Sequence, residues 1–457
     1  MNELGVGRAL GVAVVVAACC CGWAGCRVDH TSGFGPVPGG GQAPAGGEGS
    51  GSAIPTAPGS GPAAGAGGDV VVSSTVDAGG GAQPAVVSPG DAGAADAAAP
   101  AYAVMAVATW RGGAAAAYSL VHDDVCDSTA VGALTRADPA LVARGLHGGF
   151  GVIVGSCGGQ MDRVRALAEH GHDVFNESWD YRCLGSPAQC GSYGMASTDF
   201  ALEIDRSTEV LAAAIGHPVQ YFAFPFDVCG TQALAHLRDK GYLGARCGQG
   251  GISPPAFTDG FASKHDVWGP NFSLYAGTGP CAGHTAAGQN RAPATLPLAC
   301  RRYVLGHYLD EVIAQKGWGI RTLNGFAEDA NPDTFQPITV DDYNVHLDDL
   351  RARVEAGQLW VEGPTPVIRY RFAREACALP SVAGSTLRFP EPTAECKRHA
   401  TVLSYLLAPL GAPAVGEQGT ESVLRVTQGA AAMAVRRNAG MLVVDADPTR
   451  GDAVIAR

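Results

Sequence analysis

Two adjacent carboxylates close an apolar run in Tyr118-Ser-Leu-Val-His-Asp-Asp-Val125, and they are the first residues in this chain able to do chemistry together. Asp123 and Asp124 can divide labour: a cation ionises the carboxylate that binds it, while the free neighbour accepts a proton. On its own, such a pair more often forms a solvated turn or a helix cap. About fifty residues later, Gly171-His-Asp-Val-Phe-Asn-Glu-Ser-Trp-Asp-Tyr181 adds Glu177 and Asp180, with Tyr181 four residues after Glu177. Helical spacing of three or four would set these side chains on one face. Asp124, Glu177 and Asp180 would then make an all-oxygen site, suited to Mg, Ca or Mn better than to Zn. The opposing reading is that these acids are surface groups.

Two further segments complete the set: Tyr221-Phe-Ala-Phe-Pro-Phe-Asp227 and Gly317-Trp-Gly-Ile-Arg-Thr-Leu-Asn-Gly325. Trp179, Tyr181 and Trp318 carry rings able to stack on the face of a ligand, and Phe224, Pro225, Phe226 and Asp227 are further candidates for contact with it. Asp227 also fits as a helix N-cap ahead of Thr231. Trp318 reads equally well as core, and His122 and His172 read as structural.

Together the four segments resemble the polysaccharide deacetylases, over roughly residues 115 to 372. The second segment resembles that family's Gly-His-Glu-Val-x-Asn-His-Ser-x-x-His, with Glu177 and Tyr181 where the two metal-binding histidines stand. The resemblance implies Asp123 as general base and Asp124 as metal ligand. It places the base-orienting arginine at Ala223, and the general-acid histidine at Asn324. Asparagine can hydrogen-bond an oxyanion but cannot deliver a proton at neutral pH. The base position is kept; the acid, the arginine and both histidines are not.

The elements that must position these groups follow from punctuation. Apolar runs at 118–121, 151–154, 219–224, 242–246 and 319–323 alternate with helical stretches at 162–170, 200–215, 231–240, 301–316 and 340–355. Several of the helices stop at a glycine. Repeated units of this kind predict a distorted (β/α) barrel, with the reactive groups at the carboxyl ends of the strands. A doubly wound open sheet is the alternative. The stretch 250–300 reads as a long loop, 359–361 as a final strand, and 380–457 as a small β-sandwich-like domain. The barrel is expected over 101–379.

Residues 27–100 are dominated by Gly, Ala, Pro and Ser, which suits a disordered spacer. Ahead of it, 1–26 holds a short apolar run and two lipobox-like sequences, ending at Cys19 and Cys26, so export and lipid anchoring are expected. Ten cysteines follow the spacer, an even number that points to disulfides in an oxidising compartment. Cys183–Cys190, Cys281–Cys300 and Cys377–Cys396 are plausible pairs. A formal charge of −12 with no basic run argues against nucleic acid and against direct binding to anionic lipid.

Two functions fit the residues. One is a metal-dependent deacetylase (Mn, Mg, Ca or Zn) acting on an acetylated envelope or extracellular polysaccharide. The other is a catalytically inactive glycan-binding or scaffold protein on the same fold.

Overall fold

A ten-residue strand buried along almost its whole length organises the molecule. Of the residues Ala116–Val125, only Asp124 is not fully buried. A strand covered on both faces belongs in the middle of a parallel sheet with helices outside it. The computed structural model describes residues 102–267, 279–282, 297–410 and 424–456, apart from positions 194, 332, 333, 336 and 439. Cys19, Cys26 and the 27–100 spacer lie outside them.

In chain order, β1 is Tyr102–Val107, β2 is Ala116–Val125, β3 is Gly149–Val152, β4 is Asp173–Asn176 and β5 is Tyr221–Ala223. They are followed by β6, Gly244–Gly250; β7, Ser263–Val267; β8, Trp318–Leu323; and β9, Leu359–Val361. Strands β3 to β8 run in order and β8 returns to β2, every pairing parallel. β2 also pairs with β3 through Val121–Gly149 and Val125–Val152, which closes a seven-stranded barrel. That closure excludes the doubly wound sheet. β9 adds to the lower half of β2 at Ala116–Tyr118.

Helices cover the outside where the sequence placed them, including Met161–Glu169, Ser207–Ile215, Thr231–Asp239, Leu298–Gln315 and Val340–Glu355. Gly216 ends one of them in the left-handed region (φ 78°), its N–H returning to the Ala212 carbonyl, a conformation that costs other residues more. The helix Pro364–Ala376 sends Val367 and Ile368 into the same apolar cluster as Ala117, Val121, Phe175, Tyr221, Ala223, Trp318 and Ile320. Trp318 is therefore core, with its indole N–H donated to Ser119 Oγ.

Strand alternation carries this stack up to the site. Asp123 is two residues beyond Val121, Glu177 two beyond Phe175, and Thr322 and Asn324 follow Ile320 in the same phase. A period of two puts all of them on the inner face of the barrel, at its carboxyl end.

The C-terminal part forms two antiparallel sheets. One contains Leu403–Pro409 (β12), Met441–Ala446 and Val435–Asn438, with β1 paired to β12 at its edge. The other has five strands, with Ala453–Ala456 at its centre. Their apolar faces share a cluster that includes Leu387, Tyr405, Leu407, Val426, Val444 and Ile455.

All ten described cysteines are paired. The three short-range pairs form as expected, joined by Cys126–Cys157 and Cys229–Cys247. Five disulfides suit an extracellular or periplasmic setting. No helix among the described residues is long and apolar enough to cross a membrane.

Candidate functional site

At the carboxyl end of the barrel lies a cavity of about 420 Å³. It is lined by Asp123 and Asp124 from β2, Arg246 from β6, and Thr322 and Asn324 at the end of β8. Tyr181, Tyr193, Phe224, Phe226 and Phe335 form an aromatic wall. Tyr193 and Phe226 stack with ring centroids 4.4 Å apart, and Tyr181 meets Phe226 edge-on at 4.9 Å.

The backbone around this cavity is held in costly conformations. Of eight non-glycine residues with positive φ among those described, six sit here: Asp124, Cys126, Ser178, Tyr181, Phe226 and Asp227. Each such residue costs on the order of 1 kcal/mol or more and persists only when its surroundings fix it. Part of that fixing is visible. The Asp124 amide donates to Glu177 Oε2 at 2.7 Å, and the Tyr181 amide to Ser178 Oγ at 2.9 Å. Cys126–Cys157, Cys183–Cys190 and Cys229–Cys247 tie the same strand ends together.

Arg246 is the residue that sequence reasoning missed. Its Nη1 donates to Asp123 Oδ1 at 2.8 Å and its Nε to Asp227 Oδ1 at 3.3 Å, and Nη2 stands 3.9 Å from Glu177 Oε1. The arginine that Ala223 lacks thus comes from the next strand, so its loss is corrected. The signal was an arginine in phase at the end of an apolar run, Tyr242-Leu-Gly-Ala-Arg246. His265 adds a second partner, its Nε2 3.2 Å from Asp227 Oδ2. The sequence reads 250–300 as a loop, whereas Ser263–Val267 is strand β7.

Asp227 is consequently no helix cap. The helix beginning at Thr231 has Gly230 at its N-cap and no side-chain cap. Burial raises the Asp227 carboxyl, but Arg246 and His265 outweigh it and hold it below the usual range. Burial raises Asp123 as well, with Arg246 only partly offsetting the effect. Asp124 is pushed up to about 6, first by burial and then by the Asp123 charge, against hydrogen bonds from Asn324 and Tyr181. Burial and the two aspartates lift Glu177 well above the carboxylate range. For Arg246, burial works against the charge, and Asp123 and Asp227 more than restore it.

The remaining residues singled out in the sequence fall elsewhere. Asp180 is exposed, its amide donating to Glu203, and it does not join Asp124 and Glu177. Trp179 packs on the core and Pro225 is buried beneath the rim. Phe224 and Phe226 do line the cavity. His122 is buried, bonded to the Gly149 carbonyl and the Tyr343 hydroxyl, and therefore structural.

A divalent ion does not fit this donor set. Glu177 Oε2 is occupied by the Asp124 amide, and Asp124 Oδ2 accepts from Asn324 Nδ2 at 2.6 Å. The Tyr181 phenol is held protonated, since burial and three carboxylates raise it well above 10. That leaves one free oxygen each on Asp124 and Glu177, beside a fixed guanidinium. A Mg, Ca, Mn or Zn site needs four or more ligands, and here water would have to supply most of them.

Among the described residues, one group of three ligand-type side chains has its ligand atoms within 4.8 Å of one another: Asp138, His170 and His172. It lies at the amino end of β4, the opposite end from Glu177. His172 Nδ1 accepts the Gly148 N–H at 3.2 Å, which leaves the ring proton on Nε2, pointing at Asp138. A metal would need the lone pair at that nitrogen.

The polysaccharide deacetylase family model matches residues 117–245. That match runs from β2 into β6, the stretch that carries Asp123, Asp124 and Glu177. No curated protein matches the chain. A Mycobacterium smegmatis structure described as a polysaccharide deacetylase shares 14% identity, over 63% of this chain and 98% of that one, with a TM-score of 0.41. A CE4-family pseudoenzyme from Bacillus anthracis shares 10%, over 55% and 65% of the two chains, at 0.34. The CE4 domain of a xylanase from the hindgut metagenome of Trinervitermes trinervoides shares 12%, over 57% and 92%, at 0.33. Against the deacetylase pattern, the chain holds a carboxylate at the base position with an arginine beside it. It holds neither an acid at 324 nor a metal set at 124, 177 and 181.

Proposed function

We propose that this chain is a glycan-binding protein built on a polysaccharide deacetylase barrel, with no hydrolytic step of its own. The observation that carries this reading is the 2.7 Å bond from the Asp124 amide to Glu177 Oε2. At the position of a metal ligand, Glu177 instead satisfies the backbone of a left-handed residue. Asp123 can still accept a proton, but nothing polarises an acetyl carbonyl, and Asn324 cannot protonate a leaving amine. Yet the rim is strained, cross-linked and walled by aromatic rings, which suits retention for binding rather than decay. Rings of this kind stack on sugar faces, and Asp123, Asp124, Asn324 and Thr322 offer hydrogen bonds to hydroxyls. The full reading includes export, consistent with five disulfides, and a lipid anchor at Cys19 or Cys26.

The test is calorimetric titration of the full chain with Mn²⁺, Ca²⁺ and Zn²⁺, with Asp124→Ala alongside, and separately with short chitin-type and xylan-type oligosaccharides. The expected result is oligosaccharide binding without any metal binding that depends on Asp124. Micromolar metal binding lost in Asp124→Ala, together with acetate release from an acetylated oligomer, would restore the metal-dependent deacetylase.

A further inference from the structure

The charges around the cavity do not balance. Three carboxyl groups, Asp123, Asp124 and Asp227, meet two basic side chains, Arg246 and His265, both engaged by Asp123 and Asp227, while burial disfavours a charge on the neighbouring Glu177. Among the described residues, no cationic side chain pairs with Asp124. Its Oδ2 is held by the neutral Asn324 amide, the Tyr181 phenol is a second neutral donor beside it, and its Oδ1 has no hydrogen-bond partner among the described residues. A buried carboxylate oxygen left without a donor is expensive, and a ligand that supplies the donor recovers that cost on binding.

A singly charged donor suits Asp124, since it answers both the free oxygen and the carboxylate charge. A divalent ion would have to draw most of its shell from water here, whereas an ammonium needs only acceptors, and its N–H groups can use oxygens on different residues. It must also reach Asp124 past Tyr181, Tyr193 and Phe226, so the group that carries it has to suit aromatic rings. Those rings add cation–π attraction of their own.

We propose that the cavity selects the unacetylated amino sugar: the ring stacks on the aromatic wall, and its ammonium pairs with Asp124 Oδ1 where a deacetylase would hold its metal. This rests on the glycan-binding reading and narrows it to a cationic ligand. The chain would then recognise what deacetylation leaves behind, and a separate deacetylase must act first to supply that ligand.

The experiment compares glucosamine tetramer with N-acetylglucosamine tetramer on the full chain at pH 7, by calorimetry or by tyrosine and tryptophan fluorescence. The expected result is at least tenfold tighter binding of glucosamine tetramer. Asp124→Asn should bring the ratio of the two affinities near one. Asp162→Asn removes the same charge from an exposed helix position, side chain 88% accessible, and should leave the ratio unchanged. That control separates a specific pair from general attraction of a cation to an acidic protein. A thermal melt of each variant confirms folding; if Asp124→Asn unfolds, cellotetraose, with a hydroxyl where glucosamine tetramer carries its ammonium, should bind the wild-type chain at least tenfold more weakly than glucosamine tetramer, and equal binding of the two overturns the inference. Equal or tighter binding of the acetylated tetramer, or a preference that survives Asp124→Asn, overturns the inference and leaves glycan binding standing. No binding of either tetramer or of the xylan-type oligomers overturns both.

Discussion

Arg246 ties the candidate site together at the level of single residues. Its guanidinium is almost wholly buried, with a side-chain exposure of 5%, and it serves Asp123 and Asp227 at once. Removing one partner of a buried pair leaves the other charge uncompensated, which costs about 3–5 kcal/mol. Arg246→Met should therefore lower the unfolding free energy by about that amount, read from urea melts, while Arg246→Met with Asp123→Leu should recover much of it. A loss below 1 kcal/mol in the single variant would mean that Asp123 needs no cation. Asp123, Asp124 and Glu177 were legible because adjacent or helically spaced acids stand out. Arg246 was not, because one basic residue at a strand end carries no pattern until closure of the barrel brings β6 opposite β2. Asp180 misled for a related reason: Ser178 and Tyr181 are left-handed, so the turn is not helical and spacing along it predicts no shared face.

Among the elements, the segment just before the barrel joins the C-terminal sheets. β1 pairs with β12 from Tyr102–Pro409 to Val107–Tyr405, and Trp110 follows it, fully buried, its indole N–H donated to the Lys316 carbonyl. Trp110 lies in the barrel's inner cluster, so this short stretch touches both parts of the fold. Trp110→Ala should cost about 3–5 kcal/mol, as for other fully buried aromatic truncations. A urea midpoint that does not move would show that the contact is dispensable. Helices were the easiest elements to read, because glycine stops and apolar periodicity mark their ends. The strand 359–361 was found for a similar reason. β1 and β7 were missed: Ser-Lys-His-Asp-Val267 has too few apolar residues to look buried, and it becomes a strand by pairing with Arg321 and Thr322 of β8. Non-local pairing of this kind leaves little trace in local composition.

For the molecule as a whole, burial of titratable groups sets how stability responds to acid, and two buried groups respond with opposite signs. His122 is held down at about 3 by burial, the Gly149 hydrogen bond working weakly the other way, while an unfolded histidine titrates near 6.5. Between those values the unfolded chain binds a proton that the folded chain refuses. Stability contributed at this position therefore falls as the pH falls below 6.5. Asp173 is raised to about 6 by burial, opposed by its bonds to Thr365. Here the folded chain binds the proton first, so stability rises as the pH falls from 6 towards the ordinary carboxylate value. His122→Gln keeps a donor and acceptor near Tyr343, and Asp173→Asn keeps an acceptor for the Thr365 amide. The stability advantage of wild type over His122→Gln should shrink by about 2–3 kcal/mol between pH 6.5 and 4.5, from 1.36 kcal/mol per pKa unit. Over Asp173→Asn it should instead grow, by about 2 kcal/mol between pH 6 and 4.5. Urea unfolding at four pH values in that range measures both slopes in one series. Parallel curves for all three proteins would show that neither group is buried in the protonation state argued here. Opposite slopes would show that the barrel holds a neutral histidine beneath its outer helices and a proton-hungry aspartate at the amino end of β4.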